Sequence, residues 1–132
     1  MKKVLLVEDS ITQAAKTQLG LETRGFVVEV AYNGYSALSK VKEWSPDIIV
    51  LDYCLPDIDG VEICRRIKQN PLHRTIPIVV FSAEDTLRNM TQAYSAGADS
   101  YVVKESEGES VLGLLIESIV TRRNRFQRLD SY

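Results

Sequence analysis

Cysteine, histidine, net charge and long apolar runs are all scarce in this chain of 132 residues, which has two cysteines and one histidine. Each shortage excludes something. Cys54 and Cys64 match neither a zinc-ligand spacing nor the dense pairing of a disulfide scaffold, so both read as small buried hydrophobes. His73 stands in a polar stretch and reads as a surface residue rather than a phosphocarrier. No apolar run approaches the ~20 residues that a membrane helix needs. Met1-Lys2-Lys3 ahead of Val4 to Val7 has the order of a secretion signal. That run is shorter than the roughly 7–15 apolar residues required, and Glu8-Asp9 cuts it off. A net charge of −2 gives no general attraction to nucleic acid or to an anionic membrane surface. There is no linker, repeat or low-complexity tract either. A reducing, cytoplasmic setting without membrane attachment is the expectation.

What is present is a globular composition, 45% apolar and 26% charged, in a length that suits one domain with a real core. Short apolar runs alternate with helical patterns from end to end. Ser10 can cap a helix in which Ile11, Ala14, Ala15 and Leu19 recur at helical spacing. Arg24-Gly25 stops it, and Phe26 to Ala31 reads as a strand. After the Asn33-Gly34 turn, Ala37, Leu38, Val41 and Trp44 share one face of a second helix, which Ser45-Pro46 ends. Val61, Cys64 and Ile67 face inward from a third helix that finishes near Asn70-Pro71. Leu87, Met90, Ala93, Tyr94 and Gly97 are assigned to a fourth, and a last helix starts near Ser110. Five strand-helix pairs result. Near-continuous β-branched runs are the mark of strands buried on both faces, as in a parallel sheet covered by helices.

The chemistry lies at the ends of those runs. Val4 to Val7 ends in Glu8-Asp9, and Asp47 to Leu51 ends in Asp52. Ile76 to Phe81 ends in Ser82, and Ser100 to Val103 ends in Lys104. If the runs are parallel strands of one sheet, all these groups meet at its carboxyl edge, where open α/β sheets hold their ligands. Carboxylates ~5 Å apart at an effective dielectric near 20 repel by roughly 3 kcal/mol per pair. Glu8, Asp9 and Asp52 therefore stay ionised together only with a cation among them. Hard oxygen donors favour Mg²⁺, with Mn²⁺ as a substitute. The blander reading of Asp9 and Asp52 is that they cap the helices that follow. Asp57 and Asp59 are read as loop solubilisers or caps, and Gly60 as serving backbone geometry where the third helix starts.

Six segments carry a resemblance. They are Val7-Glu8-Asp9-Ser10, Asn33-Gly34-Tyr35-Ser36-Ala37-Leu38, Leu51 to Gly60, Phe81-Ser82-Ala83, Ala96-Gly97-Ala98-Asp99 and Tyr101-Val102-Val103-Lys104. In this order the chain resembles the receiver domains of response regulators in two-component signalling, of the single-domain chemotaxis-regulator type. The resemblance implies a three-layer α/β sandwich with a five-stranded parallel sheet in order 2-1-3-4-5, the flavodoxin-like arrangement. It implies one receiver domain over residues 1–132 with no output domain in this chain. Asp52 becomes the phosphoacceptor, taking a phosphoryl group from a sensor histidine kinase or a phosphotransfer protein. Glu8, Asp9, Asp52 and the backbone carbonyl of Cys54 become the metal ligands. Lys104 and Ser82 contact phosphoryl oxygens, and Ser82 with Tyr101 forms the switch. The implied activity is a signalling switch with at most slow self-dephosphorylation, not a metabolic enzyme.

Two features depart from the family pattern. Receivers usually follow the lysine with a cis proline, whereas Glu105 follows Lys104 here. A cis bond before a non-proline costs about 2.5–4 kcal/mol, so a trans bond is expected, with a mobile loop from Glu105 to Glu109 helped by Gly108. The last helix is also unusually apolar. Val111, Leu112, Leu114, Leu115, Ile116, Ile119 and Val120 span roughly 240° of its circumference, against the ~100° that packing on a sheet requires. The surplus suits self-association or an effector on the surface formed by the fourth helix, fifth strand and last helix, where Tyr94 also falls. Alternatively, these residues are scattered surface leucines. Arg122, Arg123, Arg125 and Arg128 resemble a nucleic-acid patch, but cations favour a helix C-terminus in any case, and no direct DNA contact is expected. A flavin or nucleotide module would want a Gly/Ser/Thr-rich loop after the first strand, where Glu8-Asp9-Ser10 stands. An aspartyl phosphatase would want a carboxylate where Cys54 stands. A receiver that no longer accepts phosphate finds support only in the Lys104-Glu105 junction.

Overall fold

The computed structural model describes residues 2–105 and 107–130, with residues 123–130 described by backbone alone. Strands and helices alternate: β1 (Lys3–Val7), α1 (Ile11–Thr23), β2 (Val27–Ala31), α2 (Gly34–Trp44), β3 (Ile48–Leu51), α3 (Gly60–Gln69), β4 (Ile78–Ser82), α4 (Leu87–Ser95), β5 (Ser100–Val103) and α5 (Gly108–Asp130). The strands form one parallel sheet in the order β2-β1-β3-β4-β5. This is the flavodoxin-like arrangement expected above.

Period-two alternation divides the core between the two faces of the sheet. Leu5, Val7, Ile49, Leu51, Ile78 and Val80 pack with Val41, Ile63 and Ile67 of α2 and α3 and Ala93 of α4. Val4, Leu6, Ile48, Val50, Val79 and Phe81 pack on the other side with Leu21 of α1 and Leu112 and Ile116 of α5. Every residue of β1 except Lys3, and every residue of β3 and β4, is buried. That is why these runs read as continuous rather than alternating.

The helix starts follow local chemistry. Ser10 caps α1, Asn33 caps α2, Asp59 caps α3 and Thr86 caps α4, each accepting a hydrogen bond from a first-turn N–H. Asp9 and Asp52 are therefore not the caps. Ser45, left-handed at φ 51°, closes α2 ahead of Pro46.

Four expectations need correction. The buried face of α1 is Ala14, Thr17 and Leu21, while Ile11 and Leu19 are 73% and 67% exposed and Ala15 is exposed. The inward face accepts Thr17 because the Glu109 carboxylate of α5 takes its hydroxyl hydrogen bond at 3.2 Å. In α4 only Ala93 is buried, Leu87 faces solvent, and Gly97 lies past the helix end at φ +110°. Cys54 is exposed, because it follows the last buried residue of β3 into an open loop; Cys64 is buried. Gly108 is not a loop hinge. It opens α5 and is buried, so close to β5 that a Cβ would come within 2.7 Å of the Val103 carbonyl. The Lys104–Glu105 bond is trans, as expected, there being no cis peptide among the described residues.

Of the apolar arc on α5, Leu112, Ile116 and Ile119 are buried and Leu115 and Val120 are partly covered. Val111 and Leu114 remain exposed at 49% and 60%, and Tyr94 of α4 at 50%. Arg122 is exposed, and the side chains of Arg123, Arg125 and Arg128 lie outside the described residues.

Candidate functional site

Register brings the polar strand ends together. Val7 pairs with Leu51, Leu51 with Val80, and Ser82 with Val103. The next residues of β1, β3 and β5 are Glu8, Asp52 and Lys104, so all of them lie along the carboxyl edge. Backbone bonds continue the ladder past the strands and hold these positions: Glu8 N–H to the Ala31 carbonyl at 3.0 Å, Asp52 N–H to that of Val7 at 2.9 Å, and Lys104 N–H to that of Ser82 at 2.7 Å.

Glu8, Asp9 and Asp52 each offer a carboxylate oxygen, and these atoms lie within 4.8 Å of one another. Glu8 is buried, Asp52 half-buried and Asp9 exposed. The Lys104 ammonium donates to Glu8 Oε1 and, at 3.3 Å, to Asp52 Oδ2. Its charge also lies 5.5 Å from the Phe81 ring centroid, a cation–π contact. One ammonium facing three carboxylates leaves the cluster short of positive charge. An all-oxygen donor set with one ligand open to solvent fits a hard divalent cation that keeps some of its water. Glu8, Asp9 and Asp52 could hold it.

Ser82 is buried at the end of β4, and its Oγ accepts from the Glu84 N–H at 3.2 Å. Tyr101 donates its phenol hydrogen to the Glu84 carbonyl at 2.7 Å. Burial raises the Tyr101 phenol above its ordinary pKa, with a hydrogen bond to Ser82 acting in the opposite sense. Ser82 and Tyr101 thus both attach to the short segment between β4 and α4.

Around the site, Gly60 serves backbone geometry as expected, while the partners of Tyr53 and Asp57 were not visible in the sequence. Tyr53, next to Asp52, donates its phenol hydrogen to Gln92 Oε1 of α4 at 2.6 Å. Burial first, then the nearby Asp59 carboxylate, raises its pKa. Asp57 accepts from the Gly34 N–H at 2.7 Å and the Tyr35 N–H at 2.9 Å, joining the β3–α3 loop to the start of α2. Gly60 is required by close approach, since a Cβ there would come within 2.8 Å of the Asp52 and Tyr53 carbonyls. Burial, followed by the Asp52 and Glu84 charges, raises the exposed Cys54 thiol, while burial pushes Cys64 up to about 11.

The response regulator receiver domain family model matches residues 4–115. The chain belongs to that family. Among curated relatives, this receiver is 38% identical over 130 residues to response regulator ArlR of Staphylococcus saprophyticus subsp. saprophyticus, an alignment covering 98% of this chain and 57% of ArlR. The receiver spans about half the length of the curated relatives it matches. Among solved structures, a putative response regulator from Chloroflexus aurantiacus J-10-fl superposes with a TM-score of 0.84 at 31% identity, covering 91% of this receiver and 98% of that chain. The Mn(2+)-bound form of response regulator Rcp1 superposes at 0.77 with 27% identity, covering 86% and 90%. Among the described residues, no helix of the receiver is long and apolar enough to cross a membrane.

Proposed function

We propose that this receiver is a phosphorylation-operated switch of a two-component or phosphorelay system, with Asp52 as its phosphoacceptor. The observation that carries the reading is the Lys104 ammonium bridging Glu8 and Asp52 beside Asp9. A carboxylate oxygen of Asp52 attacks the phosphorus of a phosphohistidine on a sensor kinase or phosphotransfer protein. The P–N bond breaks, the imidazole leaves with the electron pair and takes up a proton, and an acyl phosphate remains on Asp52. Lys104 stays in place to meet the phosphoryl oxygens, and the Ser82 hydroxyl turns from the Glu84 N–H to donate to another. Glu8, Asp9, Asp52 and the Cys54 carbonyl would hold Mg²⁺ or Mn²⁺, which when bound would supply positive charge against the approaching phosphoryl group. Slow attack of water on phosphorus resets the switch, so the protein is a signalling element rather than a metabolic enzyme.

Output follows from the attachment of Ser82 and Tyr101 to the β4–α4 segment. Moving the Ser82 hydroxyl frees the Glu84 N–H, and the Tyr101 phenol shifts with that segment. The populations of two surface arrangements then change. The surface so changed is α4, β5 and α5, where Tyr94, Val111 and Leu114 are exposed. A second copy of the chain or an effector docks there. DNA contact is not assigned to these residues, and the setting is cytoplasmic.

The deciding experiment is intact-mass analysis after incubation with Mg²⁺ and acetyl phosphate. The parent should gain one phosphoryl group and Asp52→Asn none. Equal gain in both proteins would remove Asp52 from its role. No gain in the parent, with acetyl phosphate or with a phosphorylated kinase, would overturn the switch reading.

A further inference from the structure

The loop from Asp52 to Gly60 leaves the sheet at the candidate site and returns as α3. Its base is closed by the Gly60 N–H bond to the Tyr53 carbonyl at 3.2 Å and by the tight approach of Gly60 to the Asp52 and Tyr53 carbonyls. Near its far end Ile58 is buried, next to Gly34. Between these points lies exposed Cys54, whose backbone carbonyl is the remaining candidate ligand. A carbonyl on a loop is a useful ligand only if the loop holds it within about 0.5 Å of the required place.

Asp57 supplies such a hold. One carboxylate oxygen accepts from Gly34 N–H at 2.7 Å and the other from Tyr35 N–H at 2.9 Å. These are the first two N–H groups of α2, and Asn33 takes that of Ser36 at 2.8 Å. The orphan donors of a helix start are thus answered in part by a residue 23 positions away on the loop that carries Cys54. Both partners are backbone groups, so the clamp fixes loop to helix without relying on a flexible second side chain. Charge-assisted bonds of this kind are about twice as strong as neutral ones.

We infer that Asp57 is a positioning residue for the metal site, clamping the β3–α3 loop to α2 so that the Cys54 carbonyl is held for a divalent cation. The inference rests on the phosphoacceptor reading above. Asp57 touches neither the metal nor the phosphoryl group. Its effect therefore falls on metal affinity and not on the transfer step itself.

The test is Mg²⁺ binding by titration calorimetry on the parent, Asp57→Ala and Asp57→Asn, together with the rate of phosphoryl uptake from acetyl phosphate at low and saturating Mg²⁺. Outer partners of metal ligands typically change affinity 10–100-fold when removed. Asp57→Ala should raise the Mg²⁺ Kd about 10-fold, at the lower end of that range. Asp57→Asn, which keeps one acceptor oxygen, should fall between it and the parent. Uptake should be slow in Asp57→Ala at low Mg²⁺ and return to the parental rate at saturation. Unchanged Mg²⁺ affinity in Asp57→Ala overturns the clamp and leaves the phosphoacceptor reading standing. Weakened affinity with uptake still slow at saturating Mg²⁺ also overturns it, because the residue would then act on something other than the metal. A parent that binds no Mg²⁺ removes both readings. Circular dichroism spectra matching the parent show that the variants are folded, as expected for an exposed side chain.

Discussion

The two edges of the sheet treat charge in opposite ways. At the amino edge two lysines, Lys68 and Lys3, each have a settled set of partners. The Lys68 ammonium donates to the carbonyls of Arg74 at 3.2 Å and Ile76 at 2.8 Å and to Asp99 at 3.0 Å, and Asp99 also accepts from the Ile78 N–H. Lys3 donates to the Trp44 carbonyl at 2.5 Å, and its backbone N–H donates to Asp47 at 2.7 Å. At the carboxyl edge, Lys104 faces Glu8 and Asp52 with Asp9 close by, and the balance stays negative. The same strands feed both edges, so the contrast does not come from the fold. A balanced cluster stabilises the chain alone. An unbalanced one costs stability until something of the missing charge arrives.

That difference can be broken from either side. The largest effect is expected for Lys104→Ala. Removing one oriented donor slows phosphoryl uptake by about 10²-fold. It also leaves the buried Glu8 carboxylate without its ion-pair partner, with only the Ser10 N–H at 3.3 Å remaining, which costs about 3 kcal/mol in metal-free protein. Urea unfolding with and without Mg²⁺ should show a substantial part of that loss recovered by the ion. Lys68→Met is the counterpart at the amino edge. It keeps the stem that packs on Gly97 but abandons two carbonyls and Asp99, a loss of about 2 kcal/mol. Added Mg²⁺ should not restore it, and uptake from acetyl phosphate should match the parent. If Mg²⁺ rescued both variants equally, the contrast between the edges would collapse.

The smallest effect is a pH dependence. Partial loss of water where the exposed Asp57 carboxyl meets α2 pushes it upward, but backbone N–H groups, those of Tyr35 and Gly34 foremost, outweigh this and hold the folded pKa below the ordinary value of 3.8. A depressed folded pKa means stability that is fully present above the unfolded value and lost as the pH falls through the folded one. The gap in urea midpoint between the parent and Asp57→Asn should therefore be constant at neutral pH and close as acid takes the solution below 3.8. A gap that instead widens in acid would reverse the sign of the clamp.

Much of this was legible in the chain itself. Apolar runs ending in Glu8-Asp9, Asp52, Ser82 and Lys104 define both the strands and the place where their ends converge, because parallel strands share a direction. Ser10 as a cap and the turn at Asn33-Gly34 were equally plain, being local. Faces were harder. Hydrophobic spacing favoured Ile11 and Leu19 on α1, yet the helix turns Thr17 inward, since Glu109 of a distant element satisfies its hydroxyl. Cys54 was misplaced for a related reason, as small size predicts burial only where something arrives to cover it. The Asp57 clamp and the Tyr53–Gln92 bond left no signal, because each joins elements far apart in sequence through ordinary polar residues.

The helix that begins at the Asp57 clamp ends at Trp44, the single tryptophan of the chain. With 11 residues in α2 and a rise of 1.5 Å per residue, the backbone of Trp44 lies roughly 15 Å along the helix from the clamped end. Lys3 sits 5.2 Å from its ring centroid at the amino edge. In optical terms the protein carries its brightest chromophore at the end of α2 far from the candidate metal site. Indole emission would then report on folding, and under the proposed function the tyrosines beside Asp52 and Ser82 would be the reporters of what binds.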